Sequence, residues 1–251
     1  MEDLYWDSND ASLVVAIGTA TVCFSVYWFV AYSASLKQFV DKRKGDGHFH
    51  HYGAFYQKAI GILCLGIVPA AISYLYFPKS FTSYGVGVAS MGPTLYWMLL
   101  FGGFLSFIPW YSARKEEMQR FYPQVRVPEW DRKLLLINGL FWLSYLFAYE
   151  FLFRGFLLLN TAEVLGWWPG IIVTTAICTL THMPKGSKET FGTIPLSIIL
   201  CLIVVQTGAI WACVVVHAAL AISNDFWAAS FNPDMQIKSG KSVNAAKSLK
   251  L

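Results

Sequence analysis

Four ionisable side chains interrupt long apolar runs in this chain. Glu150 and Arg154 lie in SYLFAYEFLFRGFLLLN, His182 closes WPGIIVTTAICTLTHMP, and His217 lies within GAIWACVVVHAALAISND. A charge at the centre of a bilayer costs roughly 2.5–3.5 kcal/mol on insertion scales, so such residues by default face a protein interior and carry function. A carboxylate and two imidazoles are the groups that activate water by general-base catalysis. Glu150 and Arg154 are spaced i, i+4 and share one helix face. They form either an ion pair that only neutralises itself or a unit in which Arg154 orients Glu150 toward a wet cavity. Gly155 leaves room for close helix approach. His182 sits at a polar turn, MPKGSKET, where an interfacial histidine is the alternative to a catalytic one. His217 is mid-segment, Asn224 follows two turns later on the same face, and Ala218, Ala219 and Ala221 between them allow a narrow groove.

Positioning these groups requires membrane helices. The chain has 251 residues, is 56% hydrophobic and only 14% charged. Soluble domains are about 25% charged, and here the apolar excess comes in blocks. The expected fold is an all-α polytopic membrane bundle, which excludes soluble binding and nucleic-acid roles. A spanning helix needs about 20 mostly apolar residues. Seven candidates fit, near 12–35, 59–77, 94–111, 134–159, 169–183, 191–207 and 209–228. The fifth and sixth are short with internal proline, and read as tilted, broken or partly re-entrant. Residues 1–232 read as one membrane domain and 233–251 as a flexible polar tail.

Charge sets the orientation, because cytoplasmic loops collect Lys and Arg. With the N-terminus outside and the C-terminus cytoplasmic, all but two of the 19 basic residues fall on the cytoplasmic side, in loops 36–58 (Lys58 included) and 112–133, the turn after His182 and the tail. The exceptions are Lys79 and intramembrane Arg154. This accounts for the net charge of +4 without an anionic partner. Tyr5, Trp6, Trp110, Tyr111, Trp130, Trp167 and Trp168 stand at segment ends, as interfacial aromatics do. Cys23, Cys64, Cys178, Cys201 and Cys213 lie inside apolar segments without metal or redox spacing, and read as small buried hydrophobes. His48, His50 and His51 read as a solvated loop rather than a metal site. MEDLYWDSND is acidic where a signal peptide is basic, so the first apolar segment stays in the mature protein.

The string E-x-x-x-R-G at Glu150–Gly155 resembles the first motif of the CPBP family of CAAX-prenyl endopeptidases and bacteriocin-processing membrane proteins. His182 is similar to the histidine of its second motif, and TGAIWACVVVHAALAISND resembles its third. The three occur in order over roughly residues 134–228. The resemblance implies a glutamic intramembrane endopeptidase. Glu150 and His182 would activate water, His217 and Asn224 would stabilise the oxyanion, and Arg154 would orient Glu150. Three positions depart from the pattern. Tyr149 replaces the first of two adjacent glutamates, Cys178 replaces a phenylalanine, and Ala221 replaces the asparagine four residues after His217. Either Glu150 takes over as base, or Glu189 enters from the turn after His182, or proteolysis is lost.

The resemblance implies a membrane protein or lipidated peptide as substrate, the bilayer as surroundings, and no cofactor or metal. Without retention or lipidation motifs, a bacterial inner membrane is the expected location. Alternatives are a catalytically impaired family member that binds a peptide or membrane protein as an immunity partner, and a proton-coupled transporter, against which the lack of an inverted repeat counts. A zinc peptidase is a further variant, although no HExxH string is present.

Overall fold

The computed structural model describes residues 7–45, 47–77, 79–87 and 90–238. Its elements are α1 (Ser8–Ala31), α2 (Ala34–Lys44), α3 (His48–Tyr76), α4 (Met91–Ser112), α5 (Glu116–Phe121), β1 (Glu129–Trp130), α6 (Arg132–Leu165), α7 (Trp167–Leu180), α8 (Ser187–Thr207), α9 (Trp211–Phe231) and β2 (Gln236–Ile237). The protein is an integral membrane helical bundle. Six helices, α1, α3, α4, α6, α8 and α9, are long and apolar enough to cross a bilayer. The seventh apolar segment, α7, has 14 residues. At 1.5 Å per residue it reaches about 21 Å, short of the roughly 30 Å hydrocarbon core. It packs between the end of α6 and α8.

Local chemistry explains the helix ends. Asp7 caps α1 by accepting from Asn9 and Asp10 backbone N–H groups, with Asp10 reaching back to the Asp7 N–H. Ser33 caps α2 and Asp131 caps α6. Gly186 and Gly208 flank α8 at φ +96° and +66°, conformations that side chains rarely adopt.

Three helices widen into π turns, at Ile62–Ile67 in α3, Met98–Gly102 in α4 and Phe151–Leu157 in α6. The last begins immediately after Glu150 and contains Arg154 and Gly155. Single π turns inside α-helices recur at functional sites. All seven residues of this turn are buried, so α6 is the central element of the bundle. Its close neighbours need small residues. A Cβ on Gly155 would lie 2.7 Å from the Tyr84 carbonyl oxygen, and one on Gly66 would lie 2.8 Å from the Ala148 Cβ. The partner that Gly155 admits is thus the 3-10 turn Phe81–Tyr84, not another helix.

Several expectations need correction. The stretch 36–58 is not a loop: α2 covers 36–44 and α3 covers 48–58, with His48, His50 and His51 on the first turn of α3. Lys58, expected in solvent, is 3% exposed inside α3. Trp130 is not interfacial but wholly buried, with Val125, Val127 and Ala229, while Trp110, Trp167 and Trp168 are exposed. Tyr5 and Trp6 lie outside the described residues. Residues 236–237 pair parallel with 129–130, and Lys238 bonds the Trp130 carbonyl and the Glu129 carboxylate. The chain after α9 is therefore anchored at 236–238, and 239–251 lie outside the described residues. All five cysteines are free and buried.

Candidate functional site

Glu150 ends the α-helical part of α6 and is completely buried. A carboxylate taken out of water must be paired, and two partners supply this. His217 Nδ1 of α9 donates to Glu150 Oε1 at 2.7 Å. Arg154 Nη1 lies 3.2 Å from Glu150 Oε2, and Arg154 Nη2 donates to Ser197 Oγ of α8 at 3.1 Å. One buried network thus ties α6, α8 and α9 together.

The network fixes an imidazole. A carboxylate only accepts, so the proton between it and His217 belongs to Nδ1. Nε2 is left as the basic nitrogen, on a ring that is 18% exposed. His182 is held likewise from the end of α7. Its Nδ1 lies 3.0 Å from the Cys178 carbonyl oxygen and 3.1 Å from Thr181 Oγ1. The carbonyl accepts, which again leaves Nε2 free. Thr181 Oγ1 donates to the same carbonyl at 2.7 Å and so accepts from the Tyr149 hydroxyl at 3.0 Å. Cys178 Sγ is 3.2 Å from that hydroxyl. The Tyr149 ring meets both imidazoles edge-on, with centroids 6.3 Å from His182 and 5.5 Å from His217.

These groups line a cavity of about 550 Å³, within the range of small-ligand pockets. Tyr149, His182, Glu189, His217 and Asn224 are on its wall, and so is Ala221. Helix α1 contributes Phe24, Tyr27 and Trp28, and α8 contributes Leu196 and Ile199. Much of the wall is therefore apolar and aromatic. Glu150 and Arg154 do not line the cavity. The expectation that Glu150 faces water is corrected: two charged or chargeable neighbours claim its oxygens, and it stands behind His217. Glu189 is not a loose turn residue. It lies in the first turn of α8 and pairs with Lys185 at 3.4 Å. A second cavity, about 480 Å³, is lined by residues such as Phe107, Trp130 and Trp227 and has no ionisable side chain. Among the described residues, no group of three or more His, Cys, Asp and Glu is placed to hold a metal ion.

Residues 130–223 match the family model described as type II CAAX prenyl endopeptidase Rce1-like. This part of the chain is similar to that family. No curated protein and no solved structure matches the chain. The matched stretch contains α6, α7, α8 and most of α9, with all four intramembrane ionisable residues, and ends one residue before Asn224. Helices α1 to α5 lie outside it, yet α1, α3 and α4 supply a large part of the cavity wall.

Beside the Glu150–His217 constellation is a polar cluster that sequence reasoning missed. Asp225 is fully buried and accepts from Asn138 Nδ2 at 3.0 Å, Trp142 Nε1 at 2.6 Å and the Gln124 backbone N–H at 2.9 Å. A carboxylate ending an apolar run was a visible signal. Its partners, 83 to 101 residues away in sequence, were not.

Proposed function

We propose that the protein is an intramembrane peptidase that hydrolyses a membrane-associated polypeptide, with His217 as the general base. The observation that carries this is the 2.7 Å bond between buried Glu150 and His217 Nδ1 behind the wall of a 550 Å³ cavity. A buried acid that holds an imidazole in one tautomer and stabilises the imidazolium is a known way to make histidine an effective base. His217 Nε2 takes a proton from water. The hydroxide adds to the peptide carbonyl carbon, and the carbonyl electrons move to oxygen. Asn224, on the same wall, donates to that oxyanion. The C–N bond then breaks, and the leaving nitrogen takes the proton that His217 holds. His182 Nε2 positions the attacking water. Arg154 acts through Glu150 and is a positioning residue. The CAAX-type specificity of the Rce1-like family suggests a substrate with an apolar or prenyl tail, and the aromatic wall of α1 suits such a tail. The basic residues near Lys185 support a cytoplasmic position for that end of the cavity.

The test is cleavage of a lipid-tailed peptide by purified protein in nanodiscs. His217→Ala should lower turnover by at least about a thousandfold while binding persists. Turnover unchanged in that variant would refute the assignment.

A second reading is favoured by one observation. Tyr149 meets both imidazoles and its hydroxyl is engaged with Thr181, where the resemblance expects a glutamate. A protein that binds its peptide without cutting it would bind that substrate and release no product.

A further inference from the structure

The cavity wall carries three lysines, Lys58, Lys185 and Lys188, and a single acidic side chain, Glu189. Lys188 is largely exposed and paired with Glu117, which leaves Lys58 and Lys185 against Glu189 as the charges inside, and Gln57, Gln124 and Tyr122 add polar groups beside them. Lys58 is the built element. It is 3% exposed, and burying an ammonium costs several kcal/mol unless partners compensate. Its Nζ donates to Gln124 Oε1 at 2.7 Å and lies 4.0 Å from the centroid of the Trp142 ring. An ammonium has three donors. One amide oxygen and one aromatic face leave it short of a full complement among the described residues. The nearby carboxylate, Asp225, is already held by three other donors. Among the described residues, the Lys185 ammonium has only the 3.4 Å contact with Glu189.

We infer that Lys58 and Lys185 form an anion subsite that takes a carboxylate of the bound peptide, from its C-terminus or from an acidic side chain. The inference rests on the peptidase reading for the identity of the ligand. A short peptide suits the cavity, because 550 Å³ accommodates a few residues. A carboxylate placed there would orient the peptide relative to His182, three residues before Lys185, and so select which bond meets the imidazoles.

The experiment measures Kd in nanodiscs for a palmitoylated tetrapeptide in four forms: free acid or C-terminal amide, each with Glu or Gln before the last residue. For wild-type protein, neutralising one carboxylate should weaken binding about tenfold or more, the usual range for a hydrogen bond to a charged group. Which neutralisation does so identifies the source. In Lys58→Met, which keeps the stem on Trp142, and separately in Lys185→Met, the difference should fall to within about twofold. The wild-type comparison needs no variant, and Lys185→Met serves if Lys58→Met does not fold. Equal Kd for all four peptides, or a difference that survives in both variants, overturns the inference. Cleavage of all four forms at one rate and one Kd would remove the subsite and leave the peptidase reading intact. A charge-dependent Kd without any product would remove the peptidase reading and leave the subsite.

Discussion

Neutralising Arg154 separates what the buried network does for stability from what it does for chemistry. In Arg154→Met the Glu150 carboxylate stays fully buried and keeps only His217 as a partner. Removing one member of a buried ion pair costs about 3–5 kcal/mol, and here the pair is shielded completely, at 2% and 0% side-chain exposure. Glu150→Gln leaves the Arg154 guanidinium uncompensated and should cost a similar amount. The double variant buries no unpaired charge and should recover about the cost of one of the two substitutions, a coupling energy of about 3 kcal/mol, at the upper end of what contacting residues show. Reversible unfolding in mixed detergent micelles gives the four stabilities of the cycle. Activity should not follow stability. Both variants lacking Glu150 lose the group that holds His217 Nδ1, so turnover should fall by about 10³–10⁴ even in the recovered double variant. Additive stabilities, with coupling under about 0.5 kcal/mol, would refute the buried-pair reasoning. A double variant as active as wild type would refute the role given to Glu150.

Asp225→Ala should destabilise by at least about 3 kcal/mol, because Asn138, Trp142 and the Gln124 N–H each lose their acceptor in a buried place; unfolding midpoints check it, and a loss under about 1 kcal/mol would show that the cluster is not buried in solution. Tyr122, outside the spanning helices, has its hydroxyl pushed up to about 12 by burial, which outweighs the opposing pull of Lys185. The unfolded chain ionises this tyrosine near pH 10 and the folded protein does not, so stability should be intact below pH 10 and decline between 10 and 12. A phenolate absorbance titration of wild type against Tyr122→Phe reads the shift, and a folded-state transition at the ordinary tyrosine value would contradict it.

The bundle was legible in the sequence because insertion into lipid depends on local quantities. Each of the seven apolar segments reappears as a helix, although the second begins at His48 and not near 59. Part of the site was legible for a similar reason: an ionisable residue in a lipid-facing run needs a partner, and Glu150, Arg154 and His217 bond one another, while His182 meets His217 only across the Tyr149 ring. Composition misled where burial depended on partners from distant segments. Lys58 reads as a loop cation, but Trp142 and Gln124 hold it inside. Trp130 reads as an interfacial aromatic, but lies in a core completed by Val125 and Ala229.

The sequence alone therefore determined the membrane class, the order of the helices and the set of residues able to do chemistry. Only the tertiary structure decided which of them faces the cavity. Glu150 and Tyr149 are adjacent on α6, where a helix turns about 100° per residue, so only one can point at the open wall. Arg154, itself bonded to Ser197, holds the carboxylate inward with His217, and Tyr149 takes the outward place beside the imidazoles. That choice depends on the register of α8 and α9 against a π turn of α6, which no local pattern in the chain encodes.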